Sequence, residues 1–600
     1  MCIRDRYKSA MKKKNIIVGL FCSLLLGSCS LDYENTSAIT PDGVWENPDM
    51  VNVFLTNIYG SMMPGWPISA NNTDEGMNKP TDMSQYVRGE ITVDNCAQGL
   101  DYKNIDKINY FLANLESVTV LNEDEKKQLR GQALFWRAWD YWGKVFTLGG
   151  VPLILQPQDV SDLNSLLVAR SSTSECVKQI LADLDEAIAS LPDKWENEDY
   201  GRIDKGCALA FKGRVLLQYA SPLFNPNNDQ KRWQDAYEAN KAAVDFLQSV
   251  GKGLYEGNFA DIWYDEQNKE VIMVNQFYYP DHALDQKNIR PEPLTRDMAN
   301  QNQAILPLIM AFPKIDGSPL VIDLDRLATD LNYNKQFMTD FYTNRDPRFH
   351  ATIFCPGMKY PCGNDLPNGM NFWNVWRKAG VSNVTLIQDE MSRDMPLGAN
   401  FFQMKGLDDL EKINVYQGET DWIEIRFAEV LMNYGECANE IGKTSEALQV
   451  LYDIRKRAGI QSTDGKYGIT ATNQTEIREA YINERFIEFA YEGKRWNDLR
   501  RWKRFDILNN LKYRSTLYPI LEDYSIVQNG QFDWTKDMLD PDVRKLFHFE
   551  YIECVDGDKN IYRFNLDLNH WFYPIKKDDL DRNSKLEQNN EWGGTFDPLK

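Results

Sequence analysis

The stretch from Asp421 to Trp502 constrains this chain most. Ile423, Phe427, Val430, Tyr434, Cys437 and Ile441 follow one another in steps of four and three residues. That rhythm holds one helical face against a partner and predicts a helix from about Asp421 onward. Gly442 marks its end and Thr444 offers a cap for the next helix, in which Ala447, Leu451, Ile454 and Ala458 keep the spacing. A third helix is predicted after Asn473 and Glu476, a capping-box pair, with Ile482, Phe486 and Phe489 as its apolar stripe.

Small residues sit among the large ones: Gly435 and Ala438, then Ala447 with Leu451. This small/large alternation matches a tetratricopeptide-like (TPR-like) helical hairpin, in which two helices approach closely. A second such pair is predicted over Lys205 to Ala220 and Trp233 to Gln248, with Gly213 and Ala236 at the contact. Further helices are expected at Val51 to Met62, Ile105 to Val118, Glu123 to Phe146 and Ser174 to Leu191, with a strand at Glu270 to Phe277. The fold class is therefore mainly α, with long irregular loops and little β structure.

The third helix also carries Glu484, Glu488 and Glu492 at one-turn spacing, with Arg485, Arg495, Asp498, Arg500 and Arg501 beside them. Two carboxylates in a cleft would suggest a glycosidase acid/base pair. Neighbours one turn apart on a helix, with opposite charges in reach, instead favour a structural charge network. No Gly-rich phosphate loop and no GxSxG elbow occurs, so no cofactor is implied. The four histidines are scattered without metal-ligand spacing, and no metal site is expected. A net charge of −21 argues against nucleic acid as a partner and against an electrostatic grip on anionic lipid.

Membrane attachment is read from the N-terminus instead. Met1 to Ala10 reads as an upstream extension, and Met11 opens a leader. Lys12, Lys13 and Lys14 are its basic region, and Ile16 to Leu26 its apolar run. Eleven apolar residues are too few to span a bilayer, which needs roughly 20. The run ends in Leu26-Gly27-Ser28-Cys29, which resembles the lipobox of bacterial lipoproteins. That resemblance implies cleavage before Cys29 and its acylation; the alternative is a secretory signal with a chance cysteine. Several acyl chains make a stable anchor where one is marginal. Among the other cysteines, Cys176, Cys207 and Cys437 fall in helical patterns as small core residues. Cys355 and Cys362 bracket a Pro/Gly loop and could close a local disulfide.

Several segments together resemble the SusD/RagB-like outer-membrane nutrient-binding lipoproteins: IRFAEVLMNYGECANEIG, IRKRAG, ERFIEFAYEGKRWNDLRRW, QALFWRAWDYWGKVF, NRDPRF and a closing Trp571 to Ile575 with Glu587 to Asn590. Lys576 departs from the family pattern, which usually has proline there. The resemblance runs over essentially all of 29–600 in the expected order. It divides the chain into a leader (1–28), an N-terminal helical region (29–250) and a C-terminal region (251–600). The last is read as loop-rich 251–410, helical 421–502 and an irregular tail 503–600.

A SusD-like protein would sit on the outer surface of the outer membrane over a SusC-type TonB-dependent transporter. It would bind oligosaccharides, or in some members peptides, and would not be an enzyme. The remaining alternatives are a TPR-like scaffold without a ligand and a glycoside hydrolase. Ligand contacts are expected on loops that break the helical rhythm, 63–101 and 276–303. The first offers Trp66, Asp74, Tyr86, Arg88 and Asn95; the second offers Tyr278, Tyr279, Asn300 and Asn302. Trp66 could equally be a plug beneath its loop. Trp373 and Trp376 are the next candidates.

Overall fold

The computed structural model describes residues 41–67, 70–78, 83–96, 98–286, 302–359, 376–379, 383–386, 398–407, 417–555 and 559–600. Helices dominate. A short helix α1 (Pro41–Trp45) leads into α2 (Pro48–Met62), α3 (Lys103–Leu115), α4 (Glu123–Leu148), α5 (Thr173–Ser190), α6 (Lys205–Ala220) and α7 (Gln230–Ser249). From α3 to α7 each helix packs on the next, as hairpins of a helical array. Capping residues fix the starts: Asn122 and Ser172 form reciprocal capping boxes with Glu125 and Glu175.

The array does not stop at α7. The chain leaves it for 177 residues, 250–426, and returns with α8 (Phe427–Glu440), which packs on α7, followed by α9 (Thr444–Arg457) and α10 (Gln474–Glu488). Tyr237 and Tyr434 meet across the join with ring centroids 5.4 Å apart. The two halves of the sequence therefore share one apolar core. Small residues make the approaches possible. A Cβ on Gly213 would fall 2.4 Å from Oδ1 of Asn240, and one on Gly435 would fall 1.9 Å from the Tyr481 hydroxyl. That hydroxyl donates to the Ala447 carbonyl at 2.7 Å and ties α10 to α9.

Three expectations need correction. The helix expected from Asp421 begins only at Phe427; before it lies a strand, Trp422–Arg426, all five residues of which are buried. It pairs antiparallel with Val271–Asn275, and these two are here β2 and β1. A strand buried on both faces shows no alternation, so its apolar residues merged into the helical count that follows. Thr444 is the first helical residue and not a cap; Lys443 precedes it without a side-chain cap bond. The tail read as irregular contributes an antiparallel pair, Ser515–Leu521 with Phe547–Glu553, which Trp376–Ala379 and Asn383–Leu386 extend to four strands. Pro519 and the full burial of Ser515–Leu521 masked the strand signal.

The cysteines expected in the core are there: Cys176, Cys207 and Cys437 are buried. Cys355 is buried with its sulfur 4.0 Å from Nδ1 of His350, and Cys362 lies outside the described residues. Among the described residues of 63–101 there is no helix, and Gly76–Met77 pairs with Gln303–Ala304. No described helix is long and apolar enough to cross a membrane.

Candidate functional site

The acidic ladder of α10 faces inward. Glu484 and Glu488 are fully buried, as is the Arg348 guanidinium that reaches both, at 2.7 and 2.8 Å, and also Asp346 at 2.7 Å. Arg426, at the end of β2, contacts Glu488 at 2.6 Å, Glu270 at 2.7 Å and Glu492 at 2.9 Å. Arg455 holds the second oxygen of Glu484, and Arg457 bridges Glu270 and Glu488. Lys405 donates to Glu492 and to the Glu488 carbonyl, both at 2.9 Å. The cluster thus has five acids (Asp346, Glu270, Glu484, Glu488, Glu492) matched by five bases. A second network adjoins it, in which Asp498 joins Arg485 and Arg501, and Arg501 reaches Glu436 at 2.5 Å.

Burial by itself raises Glu488, but Arg457, Arg426 and Arg348 outweigh it and leave the carboxyl far below its usual range. Glu484, Glu492 and Asp498 are lowered in the same way. A glycosidase acid needs the opposite: a raised pKa and access to substrate. The cluster is therefore a structural tie, as the helical spacing indicates.

The exposed aromatics lie elsewhere. Beyond β1 the chain turns back through a bridge in which Tyr278 and His282 exchange backbone hydrogen bonds of 2.9 Å. Tyr278 and Tyr279, at the head of this turn, are 54% and 51% exposed. The base is held from several sides. The Phe277 ring stacks on His282 at 4.5 Å, and Nδ1 of His282 lies 2.6 Å from the Gln276 carbonyl oxygen. Backbone N–H groups of Phe277 and Tyr279 donate to Asp421 and Glu419 at 2.8 and 3.1 Å. Burial pushes Asp421 up to about 6. Leu284 bridges to Gly418, and Gln286 donates to the Gly406 carbonyl at 2.9 Å. Tyr264, 45% exposed, donates to the adjacent Leu407 carbonyl at 2.6 Å and so belongs to the same end of the molecule. Sequence reading missed Tyr264; its one signal was a tyrosine just past the apolar run Phe259 to Trp263.

The other expected contacts are placed differently, and four of them are buried. Trp66 is a plug. Its indole N–H donates to the Thr420 carbonyl at 3.0 Å, and its ring lies 4.9 Å from that of Trp422. Gly406 leaves the space that ring needs, since a Cβ there would sit 1.8 Å from it. Asp74 makes a two-pronged ion pair with Arg495 at 2.8 and 2.7 Å. Asn302 is buried, accepts from the Ala70 N–H at 2.8 Å and donates to Gln403 at 2.8 Å. Tyr86 is buried in a stack on Tyr573, centroids 4.4 Å apart. These four brace loops from beneath. Arg88 is partly exposed and pairs with Glu90 at 2.7 Å. Asn95 is exposed but bonds within its own turn, to the Thr92 N–H and the Glu90 carbonyl. Tyr86 packs with the tail near Tyr573, whereas Trp66 packs beneath the tyrosine turn, so loop 63–101 serves two separate places. Asn300 and Trp373 lie outside the described residues, and Trp376 opens a strand. Among the described residues, no group of three His, Cys, Asp or Glu is placed to hold a metal ion.

Comparison with known proteins bears on this arrangement. The model of the SusD family matches residues 262–592, and one described as "Starch-binding associating with outer membrane" matches 68–217. A SusD-like protein, P25, of Formosa agariphila is 22% identical over 544 residues, covering 84% of this chain and 93% of its own. A crystal structure of a SusD-like protein from Bacteroides fragilis superposes with a TM-score of 0.70 at 23% identity, covering 92% of this chain and 98% of that one. A SusD-like carbohydrate binding protein from the same species gives 0.65 at 19% identity, covering 90% and 99%.

The depressed carboxyls fix the sign of the pH dependence. Each binds its proton less readily folded than unfolded, so its stabilisation is complete above the unfolded value of about 4.3 and is lost as pH falls below it. Urea unfolding should show stability dropping between about pH 5 and pH 3. Glu488→Gln should cost on the order of 3–5 kcal/mol at pH 7, since it leaves buried guanidinium groups uncompensated, and should flatten the acid limb. A variant as stable as the parent that had lost ligand binding would move this cluster into the site.

Proposed function

The chain belongs to the SusD family, and from that premise we propose that it is a surface lipoprotein of the outer membrane that captures oligosaccharides. It binds them without converting them and passes them to a SusC-type TonB-dependent transporter. The observation that carries this reading is the pair Tyr278 and Tyr279, half exposed on a turn whose backbone is held by Asp421 and Glu419. Exposed rings on a fixed backbone offer flat apolar faces to the C–H surfaces of a sugar at little entropic cost. Glu419, which accepts the Tyr279 N–H, and the exposed Asp281 within the turn are polar partners for hydroxyls. Of the contacts expected from sequence, these two tyrosines remain the best candidates, with Arg88 and Asn95 at a separate place.

A solenoid-like array with a rigid helical face suits docking on a large partner while loops at one end hold the ligand. Cys29 is the residue that would carry the lipid. Cys29→Ala should abolish incorporation of labelled palmitate in cells; labelling that persists refutes the anchor.

The site reading is tested with Tyr278→Ala combined with Tyr279→Ala, titrated with neutral oligosaccharides that bind the parent. Affinity should fall at least tenfold, about 1.4 kcal/mol, with the helical circular-dichroism signal unchanged, as side chains central to a site often dominate its energy. Unchanged affinity in the folded double variant moves the site off this turn.

A further inference from the structure

A cleft of about 350 Å³ opens beside β1, between the α5–α6 connection and the turn after α7. Its volume lies at the small end of the range of roughly 300–1,000 Å³ for small-molecule sites, so it suits one or two sugar units and not a long chain. Val271, Ile272 and Val274 of β1 line it together with Leu247 of α7. One further lining residue is Trp195, whose orientation is fixed because its indole N–H donates to the Ile203 carbonyl at 2.9 Å.

The charge of this cleft runs against that of the protein. Six charged side chains line it, and four are basic, on a chain of net charge −21. Three of the four already have partners: Lys194 with Glu196, Arg202 with Asp199 and Lys269 with Glu256. Of the two acids, Asp193 pairs with Lys205, and Asp204 caps α6 by accepting the Cys207 N–H at 2.8 Å. Lys252 is the remaining cation. It is partly buried, its backbone is held by the Leu247 carbonyl at 2.9 Å, and none of the described carboxylates makes a salt bridge to it. Burial pushes its ammonium below the usual lysine value, although Asp204 opposes this. Asp204 is the nearby carboxylate, but it is committed to the α6 cap and makes no salt bridge to Lys252, so the partly desolvated ammonium keeps donors for an incoming anion, which relieves the cost of its burial.

We propose that this cleft binds an acidic sugar, a uronate unit whose carboxylate meets Lys252 and whose pyranose face lies against Trp195. The proposal rests on the reading of the protein as a glycan-capturing member of its family, and it adds a second site, selective for charge, apart from the tyrosine turn. A glycan carrying both neutral and acidic units would then touch the protein twice, and the two contacts together would select it over neutral chains.

Digalacturonate is the probe, with a neutral galactose disaccharide and sodium acetate as comparisons, followed by ligand-observed NMR and calorimetry. Digalacturonate should bind at least tenfold more tightly than either comparison. Lys252→Met should lose that preference at an unchanged melting temperature, and Lys252→Arg should keep most of it. Trp195→Phe should weaken digalacturonate while leaving acetate as it was. Absence of digalacturonate binding to the parent overturns the proposal, as does equal binding to Lys252→Met. Acetate binding as tightly as digalacturonate also overturns it, because the cleft would then hold an anion and not a sugar. If the Tyr278→Ala, Tyr279→Ala variant loses digalacturonate and Lys252→Met does not, the acidic sugar sits on the tyrosine turn. That result removes this cleft and leaves the wider reading of glycan capture standing. Retention of Lys252-dependent binding in the same double variant supports two independent sites.

Discussion

The guanidinium of Arg426 is the point on which the rest of the structure depends. It ends β2 and starts α8, and it touches Glu270 just before β1 as well as Glu488 and Glu492 around the end of α10. One side chain thereby connects the strand pair, the helical array and the turn after α10. Through Glu488 the connection runs on to Arg348 and Asp346, and through Glu492 to Lys405. Such a cluster adds less net stability than its many short contacts suggest, because every ion has given up water. What it provides is register: five acids and five bases satisfy one another in one arrangement, and a shift of any element leaves a charge buried alone.

That tie explains how a chain with a 177-residue excursion keeps its hairpins in order. Between α7 and α8 the polypeptide builds short helices, strands and loops, and one of those loops carries the exposed tyrosines. β1 is pinned to β2 by backbone bonds and by Arg426, Trp66 fills the space under Thr420, and Gly406 gives the indole its room. A binding turn is thus set on a base made rigid by groups that never meet the ligand.

The helical array was legible in the sequence because its signals are local. Steps of three and four, capping residues and the small residues Gly213 and Gly435 each act within a few turns. The charge network was legible too, since Glu484, Glu488 and Glu492 recur every four residues amid arginines, although the helix itself ends at Glu488 and Glu492 lies in the turn that follows. The strand Trp422–Arg426 was hidden by burial on both faces, and its apolar residues matched a helical spacing by chance. The ligand contacts were the least legible. Trp66, Asp74, Tyr86 and Asn302 have the residue types of a sugar site, yet their fates were decided by partners 101 to 487 positions away: Thr420, Arg495, Tyr573, Gln403. Nothing local separates a loop tryptophan that faces solvent from one that plugs a core.

Hydrogen exchange on Arg426→Met tests most directly whether one buried charge cluster holds the strand pair, the loop roots and the array together. Protection should fall together in residues 270–275, 346–349, 422–426 and 489–492, while α5, α6 and α7 keep theirs. Protection lost only at the substituted strand, or retained throughout, would contradict the account, because the elements would then be held by packing alone.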